Sequence, residues 1–156
     1  MYGDKKSCQP YLLPECDDHP HKCLDYKETP KCSEDCQPGY PISLEDDKTY
    51  GLDSYRLEGE ESIMQEIIKN GPVSAGFSVF EDFHEYASGI YQHVYGKIGG
   101  SHAVKIIGWG EENGVKFWTI ANSWNPRWGE SGFFRMLKGQ NECGIESRCA
   151  AGDPKV

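Results

Sequence analysis

The chain has 156 residues, 37% of them hydrophobic, which suits one domain with a real core. Sixteen basic residues against 25 acidic ones give a net charge of −9, which argues against nucleic acid as a partner. No apolar stretch approaches the length of a membrane span, and no apolar leader segment follows Met1, so neither a membrane nor an export signal is expected from these residues.

Residues 1–56 carry little periodicity and many turn-formers: Pro10, Pro14, Pro20, Pro30, Pro38, Gly39 and Pro41. The segment reads as irregular loops. Five of the seven cysteines fall within residues 8–36, a density that implies a disulfide framework made in an oxidising compartment. Tetrahedral zinc is the competing use for Cys16, His19, His21, Cys23, Cys32 and Cys36, but their spacing matches no standard finger. No metal and no cofactor is therefore expected.

Glu60 to Asn70 is the clearest helix. Ile63 with Ile67, and Met64 with Ile68, stack four apart into an apolar stripe. Glu60 and Glu61 suit its N-terminus, and Gly71-Pro72 stops it. Val73, Ala75, Phe77 and Val79 then alternate with Ser74, Gly76 and Ser78, the pattern of a half-buried strand.

Strand follows strand from Ser101. His102 to Trp109 and Val115 to Ala121 flank Glu111-Glu112-Asn113-Gly114, and Asn-Gly signals a hairpin. Gly132 to Leu137 adds a further β segment. The architecture expected is α+β: one helix and a twisted antiparallel sheet curling toward a barrel. A four-residue loop at 111–114 would set residue 110 against 115 and His102 against 123, one step from Asn122. Cross-strand Cβ atoms lie on the order of 5 Å apart. An Asn carboxamide oxygen at that distance can fix the orientation of the imidazole and leave its other nitrogen to exchange a proton. Trp124 would lie over the pair and keep water away.

SHAVKIIGWG at 101–110 and ANSWNPRWGESGFFR at 121–135 resemble the His and Asn blocks of papain-family cysteine peptidases. SCQPYLLPEC, TPKCSEDCQPGYP, NGPVSAGFSVFEDF, SGIYQHV and GQNECGIES resemble the cathepsin B-like branch, in order, over residues 7–152. The resemblance implies the right-hand, antiparallel β-barrel-like lobe of the papain-like fold. On this reading residues 57–156 form the helix-plus-β lobe, preceded by the disulfide-rich segment 1–56 within one structural domain. It implies cysteine-type peptide hydrolysis with His102 and Asn122 as catalytic residues. Substrate contacts are implied at Gly100, Trp124, Arg148, His19 and His21.

In that family a thiolate attacks the peptide carbonyl and the imidazolium protonates the leaving amine. The nucleophile sits in a C-G-[SA]-C-[WY] signature far upstream of the His. None of the seven cysteines here is followed by Trp or Tyr. The expectation is thus a His/Asn lobe whose partner, the N-terminal thiol lobe, is missing from these residues, inert alone, in a lysosomal, endosomal or extracellular setting. A peptide- or partner-binding module on the same fold is the alternative.

The resemblance also implies pairs Cys8–Cys36 and Cys16–Cys23, a Cys32 whose mate lies in the other lobe, a free Cys143 and an additional Cys149. Cys143 and Cys149 are read as following the last strand, with nothing to activate them. The loop CDDHPHKC at 16–23 is similar to the family's occluding loop but shorter, with Pro20 between its two His. In the family such His bind a substrate's terminal carboxylate, which suits imidazolium groups below about pH 6.5. Arg148 stands where the family often has a pocket Glu, which would turn the preference toward acidic or neutral side chains.

Overall fold

The computed structural model describes residues 6–12 and 31–155. Its elements run α1 (Leu44–Asp47), β1 (Gly51–Leu57), α2 (Glu60–Asn70), β2 (Val73–Phe80), β3 (Ile90–Tyr91), β4 (Ile98–Glu112), β5 (Val115–Ala121), β6 (Phe133–Leu137) and β7 (Cys149–Pro154). Two 3-10 turns, Glu81–Glu85 and Glu142–Ser147, complete the set. The strands form one sheet of order β1-β7-β2-β4-β5-β6-β3. Every pairing is antiparallel except β3 with β6.

Helix α2 covers the residues its pattern specified. Glu60 and Glu61 complement the positive end of its dipole, and Gly71, at φ +103°, closes it by donating its N–H to the Ile67 carbonyl at 3.2 Å. Ile63 is fully buried, and Met64 and Ile67 pack on the core. Ile68 departs from the expected stripe and is 75% exposed. It sits 100° round from Ile67, and the face available for packing is narrower than the four apolar positions suggested.

Strand β2 alternates as predicted. Val73, Ala75, Phe77 and Val79 are buried, and they face an aromatic core of Phe83, Trp118 and Phe134. Reading residues 1–56 as irregular missed α1 and β1. Strand β1 pairs with β7 along Gly51–Leu57, so its order comes from a partner about a hundred residues away. Cys143 and Cys149 likewise do not follow the last strand: Cys143 lies in a 3-10 turn and Cys149 opens β7.

The β4–β5 hairpin also differs from its expected register. Glu112 faces Val115, so the loop is the two residues Asn113-Gly114, both at positive φ (53° and 80°), a combination matching a type I′ turn. A register shift between Ile106 and Gly108 then moves the pairing by one, and the last pair is Lys105 with Ala121. His102 therefore does not pair with residue 123. It lies on the part of β4 paired instead with β2, opposite Phe77.

Candidate active site

Because β4 leaves β5 at Lys105 and continues along β2, the end of β5 is free to turn into the loop 122–132. That loop closes on its own backbone. Asn122 N–H donates to the Gly132 carbonyl at 3.0 Å, and Gly132 N–H to the Trp128 carbonyl at 2.8 Å. Asn125 Oδ1 accepts from Arg127 N–H at 2.7 Å, an Asx turn. Gly129 is required here: at φ +57°, a Cβ would stand 2.7 Å from the Phe133 carbonyl oxygen.

The closed loop holds Asn122 against His102. His102 Nε2 lies 2.8 Å from Asn122 Oδ1, which also accepts the Ser123 N–H at 2.8 Å. The carboxamide oxygen is an acceptor only, so the imidazole proton of this contact sits on Nε2. No described residue hydrogen-bonds to Nδ1, which is the nitrogen left for a reacting group. The ring is supported by Phe77 edge-on at 6.0 Å between centroids and by Trp124 stacked at 5.3 Å and 29°. Trp124 is held by Trp128 and Phe83, edge-on at 4.8 and 5.4 Å.

Sequence reasoning brought His102, Asn122 and Trp124 together but not Phe77, Phe83 or Trp128. The alternation of β2 had placed Phe77 inward. Nothing local indicated Phe83, which stands on a 3-10 turn and enters the site through tertiary packing alone.

Gly100 is exposed on β4, opposite Val79. Arg148 is exposed and lies along β2, its Cβ 3.6 Å from the position a Gly76 side chain would take and its Nη1 3.4 Å from Ser78 Oγ. Gly76 pairs with Ala103, the residue after His102. His19, His21, Cys16 and Cys23 lie outside the described residues.

Cys8 and Cys36 are joined, which removes Cys36 from any zinc set. Burial pushes the Cys143 thiol up to about 12, with the Glu142 carboxylate adding to it. Burial and the Glu146 charge raise Cys149 to about 11. Both shifts disfavour the thiolate near neutral pH. Cys32 is a free, exposed thiol.

A second polar cluster lies behind the site. Burial pushes the Asp82 carboxyl up, but the Val94 N–H, the Tyr91 hydroxyl, His93 and the Tyr95 N–H outweigh it and bring it to about 2. Tyr91 Oη donates at 2.7 Å and His93 Nδ1 lies at 3.1 Å.

An imidazole oriented by a carboxamide and backed by a stacked indole keeps one nitrogen open to proton exchange. The family model described as papain family cysteine protease matches residues 4–152, and the chain belongs to that family. Within it the relatives are cathepsin B-like. The chain is 49% identical to cathepsin B-like cysteine proteinase 3 of Ostertagia ostertagi, over 97% of this chain and 90% of that one. It is also 49% identical to the cathepsin B-like cysteine proteinase of Schistosoma japonicum, over 93% of this chain but only 44% of the other. Procathepsin B S9 of Trypanosoma congolense superposes with a TM-score of 0.83 at 41% identity, covering 96% of this chain and 48% of that structure. The chain thus spans less than half the length of these last two relatives.

Proposed function

We propose that this chain supplies the imidazole–carboxamide half of a cathepsin B-like cysteine peptidase. His102 is the acid that protonates the leaving amine, Asn122 its orienter, and a thiol-bearing lobe is the partner that brings the nucleophile. The observation that carries the reading is the 2.8 Å contact between His102 Nε2 and Asn122 Oδ1. It leaves Nδ1 for a thiol while the chain's own buried thiols, raised to about 12 and 11, supply no thiolate. By itself the chain is inert. The disulfide supports an oxidising setting, lysosomal, endosomal or extracellular. No helix among the described residues is long and apolar enough to cross a membrane.

Residues 1–56 act as the disulfide-rich flank of the 57–156 lobe. His19 and His21 would bind a substrate's terminal carboxylate, giving dipeptide release. Arg148, beside Gly76 and Ser78, would favour an acidic or neutral side chain at the second residue before the scissile bond; Gly100 and Trp124 complete the contacts.

The test is an intact-mass measurement with a thiol-directed epoxide, beside a fluorogenic peptide assay, on the chain alone and then with a cathepsin B-like thiol lobe. No adduct at Cys143 or Cys149 and no turnover alone, with turnover on adding the lobe, is expected. Turnover by the chain alone would refute the division of labour. Saturable peptide binding with no turnover in either case would replace it with a binding module.

A further inference from the structure

The backbone bonds that close the loop 122–132 do not fix where it stands on the sheet. A carboxylate anchors its return limb. Glu130 Oε1 accepts the Gly89 N–H at 2.9 Å and Arg135 Nη2 at 2.8 Å, and Oε2 accepts Arg135 Nε at 3.0 Å. The guanidinium thus meets the carboxylate through two parallel bonds, a geometry that gives an ion pair direction as well as energy.

The three groups come from three segments. Glu130 is on the loop, Arg135 is on β6, and Gly89 precedes β3, 41 residues earlier in the chain. Arg135 is itself held in place. It pairs with Thr119 of β5, its guanidinium lies over the Phe117 ring at 5.1 Å, and its Nη1 reaches Glu112. Gly89 is held too. Its carbonyl accepts from Tyr86 Oη at 2.7 Å, and the same hydroxyl accepts the Arg135 N–H at 3.2 Å. The Arg135 fork keeps the Glu130 carboxyl below the usual carboxylate range, against the partial burial that raises it.

From Glu130 the order passes to the site through the backbone. Glu130 N–H donates to the Phe133 carbonyl at 2.9 Å, and Phe133 N–H to the Glu130 carbonyl at 3.2 Å. Gly132, between them, accepts the Asn122 N–H at 3.0 Å. Asn122 Oδ1 then meets His102 Nε2 at 2.8 Å. Glutamine at 130 is the informative replacement. Its single carboxamide oxygen can keep the Gly89 N–H, but its NH2 turns toward Arg135 and the fork is lost.

We propose that Glu130 is a positioning residue for the His102–Asn122 pair. Clamped between Arg135 and Gly89, it holds the return limb so that Asn122 Oδ1 stays within reach of His102 Nε2. This rests on the peptidase reading above and adds to it a residue that acts through Asn122 without touching substrate.

The experiment is a double-mutant cycle in the assembly of this chain with a cathepsin B-like thiol lobe. One fluorogenic peptide gives kcat and KM for the unaltered chain, Glu130→Gln, Asn122→Ala and the two combined. Glu130→Gln should lower kcat about tenfold and leave KM within about twofold, since a misplaced catalytic group costs rate rather than binding. In the Asn122→Ala background it should lower kcat by less than about twofold, because the group it positions is gone. An unchanged kcat, or an equal fall in both backgrounds, marks an ion pair that only holds the fold and overturns the proposal. If Glu130→Gln does not fold, Arg135→Lys takes its place in the cycle, keeping the charge and losing the fork. If the assembly cleaves nothing, the peptidase reading has failed instead, and the chain alone decides. Exchange of the His102 Nε2 proton with water, read from imidazole 15N spectra, should then quicken about tenfold in Glu130→Gln. An unchanged exchange rate overturns the proposal.

Discussion

Two polar regions flank the same aromatic core and are finished in opposite ways. At the base, the Glu146 carboxylate is buried but accepts from Trp118 Nε1 at 2.9 Å, Gly139 N–H at 2.6 Å and Asn141 N–H at 2.9 Å. Lys138, also buried, reaches Glu60 Oε2 at 2.9 Å. Around His102, three buried nitrogens lack partners among the described residues. A buried polar group that is fully partnered rigidifies a fold, while an unpartnered one is costly. The base is finished within the chain, and the surroundings of His102 are not.

The largest expected effect breaks the base. Glu146→Ala strands the buried Trp118 Nε1 and the part-buried N–H groups of Gly139 and Asn141, and should cost about 3 kcal/mol, or prevent folding, in a urea titration. A loss under about 1 kcal/mol would mean the base is no more structural than the site.

The complementary change at the other end is Asn122→Ala. It removes the acceptor for His102 Nε2 and should lower kcat about a hundredfold in the assembled peptidase through misorientation of the ring. Unfolding free energy should move by less than about 1 kcal/mol. A stability loss as large as that of Glu146→Ala would erase the contrast.

Asp82 sharpens it through pH. Its folded value of about 2 lies below an ordinary aspartate near 4, so its contribution is fully present above pH 4 and lost as pH falls toward 2. The shift corresponds to about 2 kcal/mol. Stability followed by denaturation at pH 5, 4, 3 and 2 should show this loss, and Asp82→Asn should flatten the curve over that window. An unaltered acid limb in Asp82→Asn would show that other carboxylates carry it.

The smallest effects concern the thiols. Burial raises both the Cys143 and Cys149 thiols well above an ordinary cysteine and leaves little thiolate at pH 8, so both should label far more slowly than exposed Cys32 with a chromogenic disulfide. Cys143→Ser should not change turnover in the assembly. Labelling of Cys143 at the rate of Cys32 would reopen the question of a nucleophile within the chain.

Where local pattern and tertiary environment agree, the elements were legible. Helix α2 and strand β2 follow from apolar periodicity, and the Asn-Gly pair marked the hairpin. The hairpin's exact register was not legible, because a two-residue turn and a four-residue loop fit the same letters and a bulge at Ile107 leaves no compositional trace. Strand β1 was missed because Gly-Leu-Asp-Ser-Tyr-Arg-Leu is largely exposed and owes its extension to β7.

The sequence by itself determined the family, the helix, the alternation of β2 and the identity of the His and Asn that meet. Each is written in residue type and spacing, and local sterics and burial act directly on those. Only the tertiary structure decided that β4 changes partners at Lys105, which brings His102 within 2.8 Å of Asn122. It alone also set Phe83, Trp128 and His84 around Trp124. The Phe83 and His84 contacts join segments some forty residues apart, and side-chain packing between distant segments fixes them where no local preference can.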